Sequence, residues 1–356
     1  MIKKLPIGHP MIEGYPKHAN TLSILSQHDS ALAWILCNYI QLKLRINHEG
    51  DYFDFYTINP VFQKSLFDYQ RHSRKSVFRW HGENITKYII DCIDMDYYIY
   101  TVVDEFHIPN TRAYNKRFFP HSVLIYGYDT ERQIYNLAGF NSPEGQPQKF
   151  RKFDLAFSEF EKAFVSIKSE PNHNHYHNNV YLLRYNNNTS YDFDVNVVIY
   201  YLEDYILSKN SYYRESNYFN PPQNEYIFGI EVLNELKKVY SSDSKCKFDV
   251  RPLYLLKEHK QLMLNRLNYF QTNEILFIPE QIKQYSHVVN ESTISINLLL
   301  KYLITNELKL LSKIHEKLDN IYNLEMAILP TILNLLKELN IDSPSSDKLA
   351  SKNKDH

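Results

Sequence analysis

The sequence predicts an α+β protein: a mixed antiparallel sheet with helices, followed by a mostly helical C-terminal region. β-Branched and aromatic runs such as 96–106 and 179–185 lie in the first half of the chain. In the second half, apolar residues recur at three-to-four spacing over several long segments. Such segregation is typical of α+β architecture. We therefore expect an α+β head at residues 1–188, a helical domain at 189–342 and a polar, disordered tail at 343–356.

Several patterns predict the elements of the head. Residues 18–44 carry apolar side chains at helical spacing, and the polar "SQHDS" (26–30) predicts a break in that helix. Residues 51–58 suggest a strand, and 83–95 suggest a helix. The segment "PQKFRKFDLAFSEFEKAF" (147–164) then predicts a short strand and a helix capped at Asp154 or Ser158.

Two apolar runs in the middle of the head predict a β-hairpin. They extend over Ser122–Tyr126 and Gln133–Ala138, with the polar turn "GYDTER" between them. His121 opens the first run, and Asn141 closes the second. Because a hairpin brings the start of one strand near the end of the other, an Asn141 amide oxygen could hold a His121 N–H. The alternatives are a histidine satisfied by a backbone carbonyl and an asparagine that serves the turn in "FNSPEG".

Composition and charge narrow the class of protein. The chain has 356 residues and a formal net charge of −1, so no overall field favours nucleic acid or an anionic membrane as a partner. It contains 30 Tyr, which either line a groove for a polar ligand or reflect codon bias and ordinary packing. No apolar run is long enough to span a membrane and the N-terminus lacks a secretory h-region, so we expect a cytoplasmic protein.

The cysteines and the motifs argue against a cofactor. Cys37, Cys92 and Cys246 are scattered, which predicts neither a disulfide framework nor a zinc site and suggests a reducing compartment. The chain has no dinucleotide fingerprint, P-loop, GxSxG or HExxH motif. We predict that the protein uses no cofactor and no resident metal.

The order of these motifs resembles a known family. An N-terminal helix is followed by "ITKYIIDCIDMDYYIYTVVDEF", "HSVLIYGYD", "YNLAGFN" and "FDLAFSEFEKAF". Over residues 10–165 this order resembles the papain-like, cysteine-protease-type head of the butirosin-biosynthesis acyltransferase family, and more distantly the bacteriocin-processing peptidases. The resemblance implies acyl transfer from a carrier-protein thioester to an amine in antibiotic or nonribosomal peptide assembly. It also implies that His121 is the general base and Asn141 its orienting residue.

The resemblance further implies a cysteine at the start of the first helix, and here the sequence departs from the family. Ala19 or Asn20 occupies that position, so an acyl-enzyme intermediate is in doubt. Cys37 and Cys92 lie among apolar residues and are expected in the core, where a thiol is inert. Ser26, like Ser23, lies on the first helix, but a helical serine without an activating base is a weak nucleophile.

A site without the cysteine can still catalyse direct transfer to an amine. His18 and Asn20 lie near the expected helix start, where N–H groups and the helix dipole can hold an oxyanion. Asn20 alternatively serves as the N-cap. We predict binding roles for His18, Asn20, Ser23 and Tyr126 around His121.

Three further clusters have an ordinary explanation beside a functional one. His173, His175 and His177 alternate in "HNHYHNN" and could share one strand face toward a metal, but the surrounding asparagines favour a loop. The basic stretch "YQRHSRKSVFRW" (69–80) could contact a carrier protein or form a solvated helix face. The helix "RPLYLLKEHKQLMLNRL" (251–267), which carries Glu258 and His259, is expected to pack within the helical domain.

Two hypotheses follow from the sequence. The first is an acyltransferase that uses His121 as base, with an acyl or peptidyl carrier protein and a small-molecule or peptide substrate as partners. The second is a non-catalytic accessory protein that binds a peptide or carrier protein in the same groove. The absent cysteine favours the second hypothesis, and the spacing of His121 and Asn141 favours the first.

Overall fold

The computed structural model describes residues 1–47, 52–57, 66–82, 85–143, 146–168, 176–188, 190–213, 225–241 and 248–342. The chain forms two compact units, one of Met1–Leu32 with Ile58–Tyr191 and one of Ala33–Thr57 with Asp192–His356. The expected mixed α+β organisation, with antiparallel sheets and a helical C-terminal region, is confirmed. Residues 33–57 lie outside the unit in which we expected them, and the predicted tail at 343–356 lies beyond the described residues.

An antiparallel sheet forms the centre of the first unit. Its order is β4-β9-β5-β6-β7-β8, and β1 pairs with the distal part of β6. The strands are β1 (Ile2–Lys4), β4 (Phe67–Ser73), β5 (Tyr98–Asp104), β6 (Pro120–Asp129), β7 (Ile134–Asn141), β8 (Lys149–Ala156) and β9 (Asn179–Tyr185). The expected hairpin is β6–β7, in which Leu124 pairs with Ala138. Gly127 lies at a register shift of this hairpin, where a Cβ atom would come 2.6 Å from the Lys3 carbonyl oxygen of β1.

Helices pack against this sheet. They are α1 (Pro16–Leu25), α3 (Arg74–His81), α4 (Thr86–Asp94) and α5 (Phe157–Val165), and the division between the two units falls inside α2 (Asp29–Asn38). The predicted break between α1 and α2 is confirmed, because α1 ends at Leu25 and α2 begins at Asp29. The predicted cap of α5 is wrong: Ala156 precedes its first turn and supplies no side-chain cap.

A fully buried arginine ties three elements of this unit together. Arg74 donates from Nη1 to the Phe164 carbonyl oxygen (2.8 Å), from Nη2 to that of Val102 (2.6 Å) and from Nε to that of His177 (3.1 Å). Its guanidinium also lies 3.8 Å from the centre of the Phe164 ring. Burial lowers the pKa of Arg74 to about 9. For Arg74, the expectation of a solvated or carrier-binding helix face is therefore wrong.

The second unit combines a small sheet with long helices. Its antiparallel sheet has the order β10-β2-β3, from β2 (Leu42–Arg45), β3 (Phe53–Phe55) and β10 (Tyr226–Phe228). The helices are α6 (Val195–Ile206), α7 (Val232–Val239), α8 (Arg251–Thr272), α9 (Pro279–Thr305) and α10 (Lys309–Asp342). Because β2 pairs with β10 on one side and with β3 on the other, residues 33–57 belong to this unit. Within the described ranges, no helix combines the length and the apolarity needed to cross a bilayer.

A charged pair lies in the interior of this helical unit. Lys260 of α8 contacts Glu325 of α10 at 2.8 Å, and both side chains are fully buried. Hydroxyl groups of Tyr205 and Tyr285 donate to the two oxygens of the same carboxylate. Burial lowers the pKa of Lys260, and the Glu325 carboxylate opposes that shift. Such a pair is tolerated in an interior only when its remaining hydrogen bonds are made, as they are here.

His259, beside Lys260, is a buried neutral histidine. Its Nε2 lies 2.7 Å from the Ile40 carbonyl oxygen, and the ring is 1% exposed. Burial lowers the pKa of His259 well below its usual value, and the positive charges of Lys260 and Arg266 act in the same direction. The expected packing role of this part of α8 is confirmed.

Replacement of Arg74 by methionine tests how much its three buried hydrogen bonds stabilise the first unit. Three buried carbonyl oxygens lose their donors, so we expect the free energy of unfolding to fall by about 2–4 kcal/mol. Urea unfolding of Arg74→Met, compared with Arg71→Met at an exposed position of β4, measures the effect. Equal midpoints for the two variants would contradict the proposed role of Arg74.

The His259 environment predicts a dependence of stability on pH. The unfolded chain binds a proton at this residue below about pH 6.5 whereas the folded chain does not, so stability falls as the pH drops below that value. The contribution of one such group approaches ~1.4 kcal/mol per pH unit. Urea titrations between pH 5 and 7.5 should show a shallower slope for His259→Gln than for the wild type. Replacement of the exposed His287 by glutamine is the control and should leave the slope unchanged.

Candidate functional site

The candidate site lies at one end of two neighbouring interior strands of the sheet, where β5 ends and β6 begins. These strands are antiparallel neighbours, and Val103 pairs with His121. After β5 the chain turns through a short 3-10 helix, Glu105–His107. The Asp104 carboxylate accepts hydrogen bonds from the backbone N–H groups of Phe106 (3.0 Å) and Phe119 (2.9 Å). These two hydrogen bonds hold the two ends of the β5–β6 connection together, and Glu105 lies beside His121 as a result.

Glu105 and His121 form a carboxylate–imidazole dyad. Glu105 Oε1 lies 2.6 Å from His121 Nδ1, with side-chain exposures of 2% for Glu105 and 21% for His121. Since an ionised carboxylate only accepts hydrogen bonds, this contact assigns the proton to Nδ1 in the neutral ring. The lone pair on Nε2 is then available to take a proton from a bound molecule.

Asn141 takes a different position from the one we expected. Its Nδ2 donates to the Pro109 carbonyl oxygen at 3.0 Å, and the next residue, Ser142, donates its backbone N–H to the Asn110 carbonyl oxygen. Asn141 therefore fastens the β5–β6 connection to the end of β7, while Glu105 holds His121 Nδ1. The sequence contained one signal for Glu105, its position directly after a predicted strand. That signal becomes specific only once β5 is known to pair with β6.

Two aromatic rings lie beside the imidazole. The ring centres of Phe119 and Phe140 each lie 5.7 Å from that of His121, and Phe150 follows 6.1 Å from Phe140. We call Phe119, Phe140 and Phe150 the aromatic row. The Arg117 guanidinium lies 5.1 Å from the centre of the Phe119 ring. The imidazole thus has apolar rings as neighbours, and one of these rings lies near a guanidinium.

Helix α1 packs against β6 and β7, but its polar residues lie deeper than we expected. The helix begins at Pro16 with Tyr15 as N-cap, so the N-cap prediction for Asn20 is wrong. The backbone N–H of His18, in the first turn, is already bonded to the Tyr15 carbonyl oxygen. The Ser23 hydroxyl donates to the Asn20 carbonyl oxygen at 2.8 Å. The first-turn N–H of His18 and the Ser23 hydroxyl are thus committed within the helix.

The Asn20 side chain is the exception on this helix. It is fully buried, and neither its amide nitrogen nor its amide oxygen has a hydrogen-bond partner among the described residues. A buried polar group without a partner costs about 1–3 kcal/mol, so native proteins rarely leave one. The Asn20 amide is therefore suited to a water molecule or a polar group of a ligand.

Tyr126 lies away from His121, so its predicted binding role at this site is not supported. It is five residues further along β6, about 16 Å at the usual rise per strand residue. Its backbone oxygen accepts from the Leu5 N–H, and the Lys152 ammonium lies 5.9 Å from its ring centre. Lys152 in turn donates to the Ile7 carbonyl oxygen, so this part of β6 is covered by the N-terminal segment.

The two cysteines that the structure describes are buried, as expected. Burial raises the pKa of Cys92 to about 12, even though a hydrogen bond with Tyr88 opposes the shift. Cys37 is fully buried, and its Sγ accepts the Asp194 backbone N–H at 3.3 Å. The environment of Cys92 therefore disfavours a thiolate. Cys246 lies outside the described residues.

No metal site is found within the described part of the chain. No group of three or more His, Cys, Asp or Glu side chains there is arranged to hold an ion. His173 and His175 lie outside the described residues, so their predicted alternation is not addressed. The His177 carbonyl oxygen accepts from Arg74, as described above.

The tautomer of His121 tests which residue orients the ring. Glu105 should fix the Nδ1–H form, whereas replacement by alanine should release the ring to a mixture of tautomers. Long-range ¹⁵N–¹H NMR of the imidazole distinguishes the two nitrogens in wild type, Glu105→Ala and Asn141→Ala. We expect the Asn141 variant to retain the wild-type tautomer. A change in that variant with none in Glu105→Ala would assign the orienting role to Asn141 instead.

Comparison with known proteins does not assign the chain to a family. No known family model matches the chain, and no curated protein matches it either.

Proposed function

We propose that this protein is an acyltransferase that moves an acyl group from a carrier-protein thioester to an amine, with His121 as the general base. The observation that carries the proposal is the 2.6 Å contact between Glu105 Oε1 and His121 Nδ1. A buried carboxylate on one ring nitrogen leaves the other oriented as a proton acceptor, which is the arrangement that acyl-transfer sites use. The resemblance to papain-like acyltransferase heads gives the reaction class.

The proposed step needs no acyl-enzyme. The amine nitrogen attacks the thioester carbonyl carbon while His121 Nε2 takes the proton from that nitrogen. The resulting imidazolium is stabilised by the Glu105 carboxylate. Collapse of the tetrahedral intermediate breaks the C–S bond, and His121 returns the proton to the departing thiolate. The products are an amide and a free thiol, and His121 ends in its starting protonation state.

In this proposal Asn20 stabilises the carbonyl oxygen. Its amide nitrogen and oxygen have no described partner, and α1 packs against the two strands that form the hairpin of His121. An amide N–H can donate to an oxygen that becomes negative as the tetrahedral intermediate forms. The family places its nucleophilic cysteine at Ala19 or Asn20, so the amide would replace covalent catalysis with hydrogen bonding. His18 and Ser23 then act as supports of the helix.

A transfer assay tests the proposal. Acyl-carrier thioester and an amine are incubated with the protein, and both thiol release and amide formation are measured. Removal of a general base costs typically 10²–10⁴-fold in rate, so His121→Ala should lose activity by that factor. Glu105→Gln should lose up to about 10⁴-fold, because the amide can donate to Nδ1 and favour the tautomer that carries the proton on Nε2. The exposed His287→Ala is the control, and undiminished turnover in His121→Ala would refute the role of the base.

The second candidate is a non-catalytic accessory protein of such a pathway. It is favoured by a specific observation: both described cysteines are buried, and Cys92 has a pKa of about 12, so neither supplies the family's nucleophile. A protein of this kind would bind a carrier protein or peptide without turnover. Equal binding by wild type and His121→Ala, together with no amide formation by either, would favour this candidate over the transferase.

A further inference from the structure

The aromatic row is unusual in its exposure. Phe119 is 37% exposed and the preceding Phe118 is 56% exposed, while Phe140 and Phe150 are half-buried. Exposed apolar residues are ordinary when they are scattered, but Phe119, Phe140 and Phe150 form a continuous series of ring contacts that includes His121. A contiguous aromatic surface around a titratable group is typical of a ligand-binding site.

The position of the rings limits which part of a substrate they contact. Phe119 and Phe140 flank the imidazole at equal distance, so a carbonyl carbon near Nε2 brings its substituent against one of these rings. In the transfer reaction that substituent is the acyl chain. The row is therefore placed to receive the acyl group of a donor bound at His121.

Ring geometry and charge favour an aromatic acyl group over an aliphatic one. The ring planes of Phe119 and Phe140 are tilted by 44° and 56° against the imidazole, which presents both faces and edges to a neighbour. Aromatic pairs gain about 0.5–1.5 kcal/mol beyond their buried area, and an aliphatic chain does not receive this gain. The Arg117 guanidinium above Phe119 adds a cation that prefers an electron-rich ring.

We propose that the aromatic row is the acyl subsite of this protein and that it selects donors whose acyl group is an aromatic ring. This inference rests on the proposed function, because it assigns the substrate class of the same site. It assigns Phe119 and Phe140 as specificity-determining residues. Arg117 contributes a positive charge next to the Phe119 ring.

Binding of unreactive donor analogues tests the subsite without depending on catalysis. The probes are N-(2-acetamidoethyl)benzamide and its cyclohexanecarboxamide and octanamide counterparts, which replace the thioester by an amide. The first two differ in aromaticity but little in size. Isothermal titration should give an affinity for the benzamide about two- to tenfold higher than for the cyclohexane analogue. Equal or reversed affinities, or no binding of the benzamide, would overturn the proposal.

Substitutions in the aromatic row test whether its rings cause the preference for the benzamide. Phe140→Leu and Phe119→Leu keep apolar volume but remove the ring, so each should abolish most of the preference for benzamide. Phe119 is the safer position, because its partial exposure makes unfolding of the variant a small concern. Phe277→Leu, at an 86% exposed position of the other unit, is the matched control. An unchanged preference in folded Phe119→Leu and Phe140→Leu proteins would also overturn the assignment.

Failure of this inference and failure of the proposed function give different results. If benzamide binds with the expected preference but no thioester is turned over, the subsite stands and the transferase does not. If benzoyl and octanoyl thioesters are turned over equally by wild type and not by His121→Ala, the transferase stands and the aromatic selectivity does not.

Discussion

The Asp104 carboxylate is the contact on which the candidate site depends. Its two oxygens accept the Phe106 and Phe119 N–H groups and the Ser166 hydroxyl, so one side chain joins both ends of the β5–β6 connection and the end of α5. Asp104 is only 3% exposed, so water does not compete for these charge-assisted hydrogen bonds. Because Glu105 follows directly, its orientation toward His121 is a consequence of how Asp104 is held. The hydrogen bond from the Phe119 N–H to Asp104 also holds Phe119 beside the imidazole.

The two units bury charge in different ways. In the first, Arg74 lies in the interior with carbonyl oxygens as acceptors, so its charge is dispersed over backbone dipoles of three elements. In the second, Lys260 meets a full countercharge in Glu325, and tyrosine hydroxyls complete the coordination of the carboxylate. Both arrangements are demanding because every partner must be present. Each therefore specifies one packing of its unit more strongly than apolar side chains alone would.

The sequence predicted those features that depend on local patterns. The β6–β7 hairpin, the interruption between α1 and α2 and the helices after residue 190 follow from periodicity and turn residues over short ranges. Glu105 was missed because its role depends on β5 lying next to β6, which is set by the order of strands in the whole sheet. The position of residues 33–57 was missed for the same reason, since β10 is far away in sequence. Of the predicted site, His121 lies at the dyad, Asn141 supports the connection and Tyr126 lies elsewhere.

The pairing of β2 with β10 bears on how the chain folds as it is synthesised. Arg45 pairs with Tyr226, so β2 leaves the ribosome about 180 residues before its partner strand β10, ~10–40 s at about 5–20 residues per second. During that interval the sheet of the first unit can assemble on the nascent chain, while β2 presents an open edge. A fragment that stops at residue 188 would keep this edge permanently open, and an unpaired edge is a site of self-association. The discontinuous unit thus makes the pairing of an early strand wait until translation has passed residue 228.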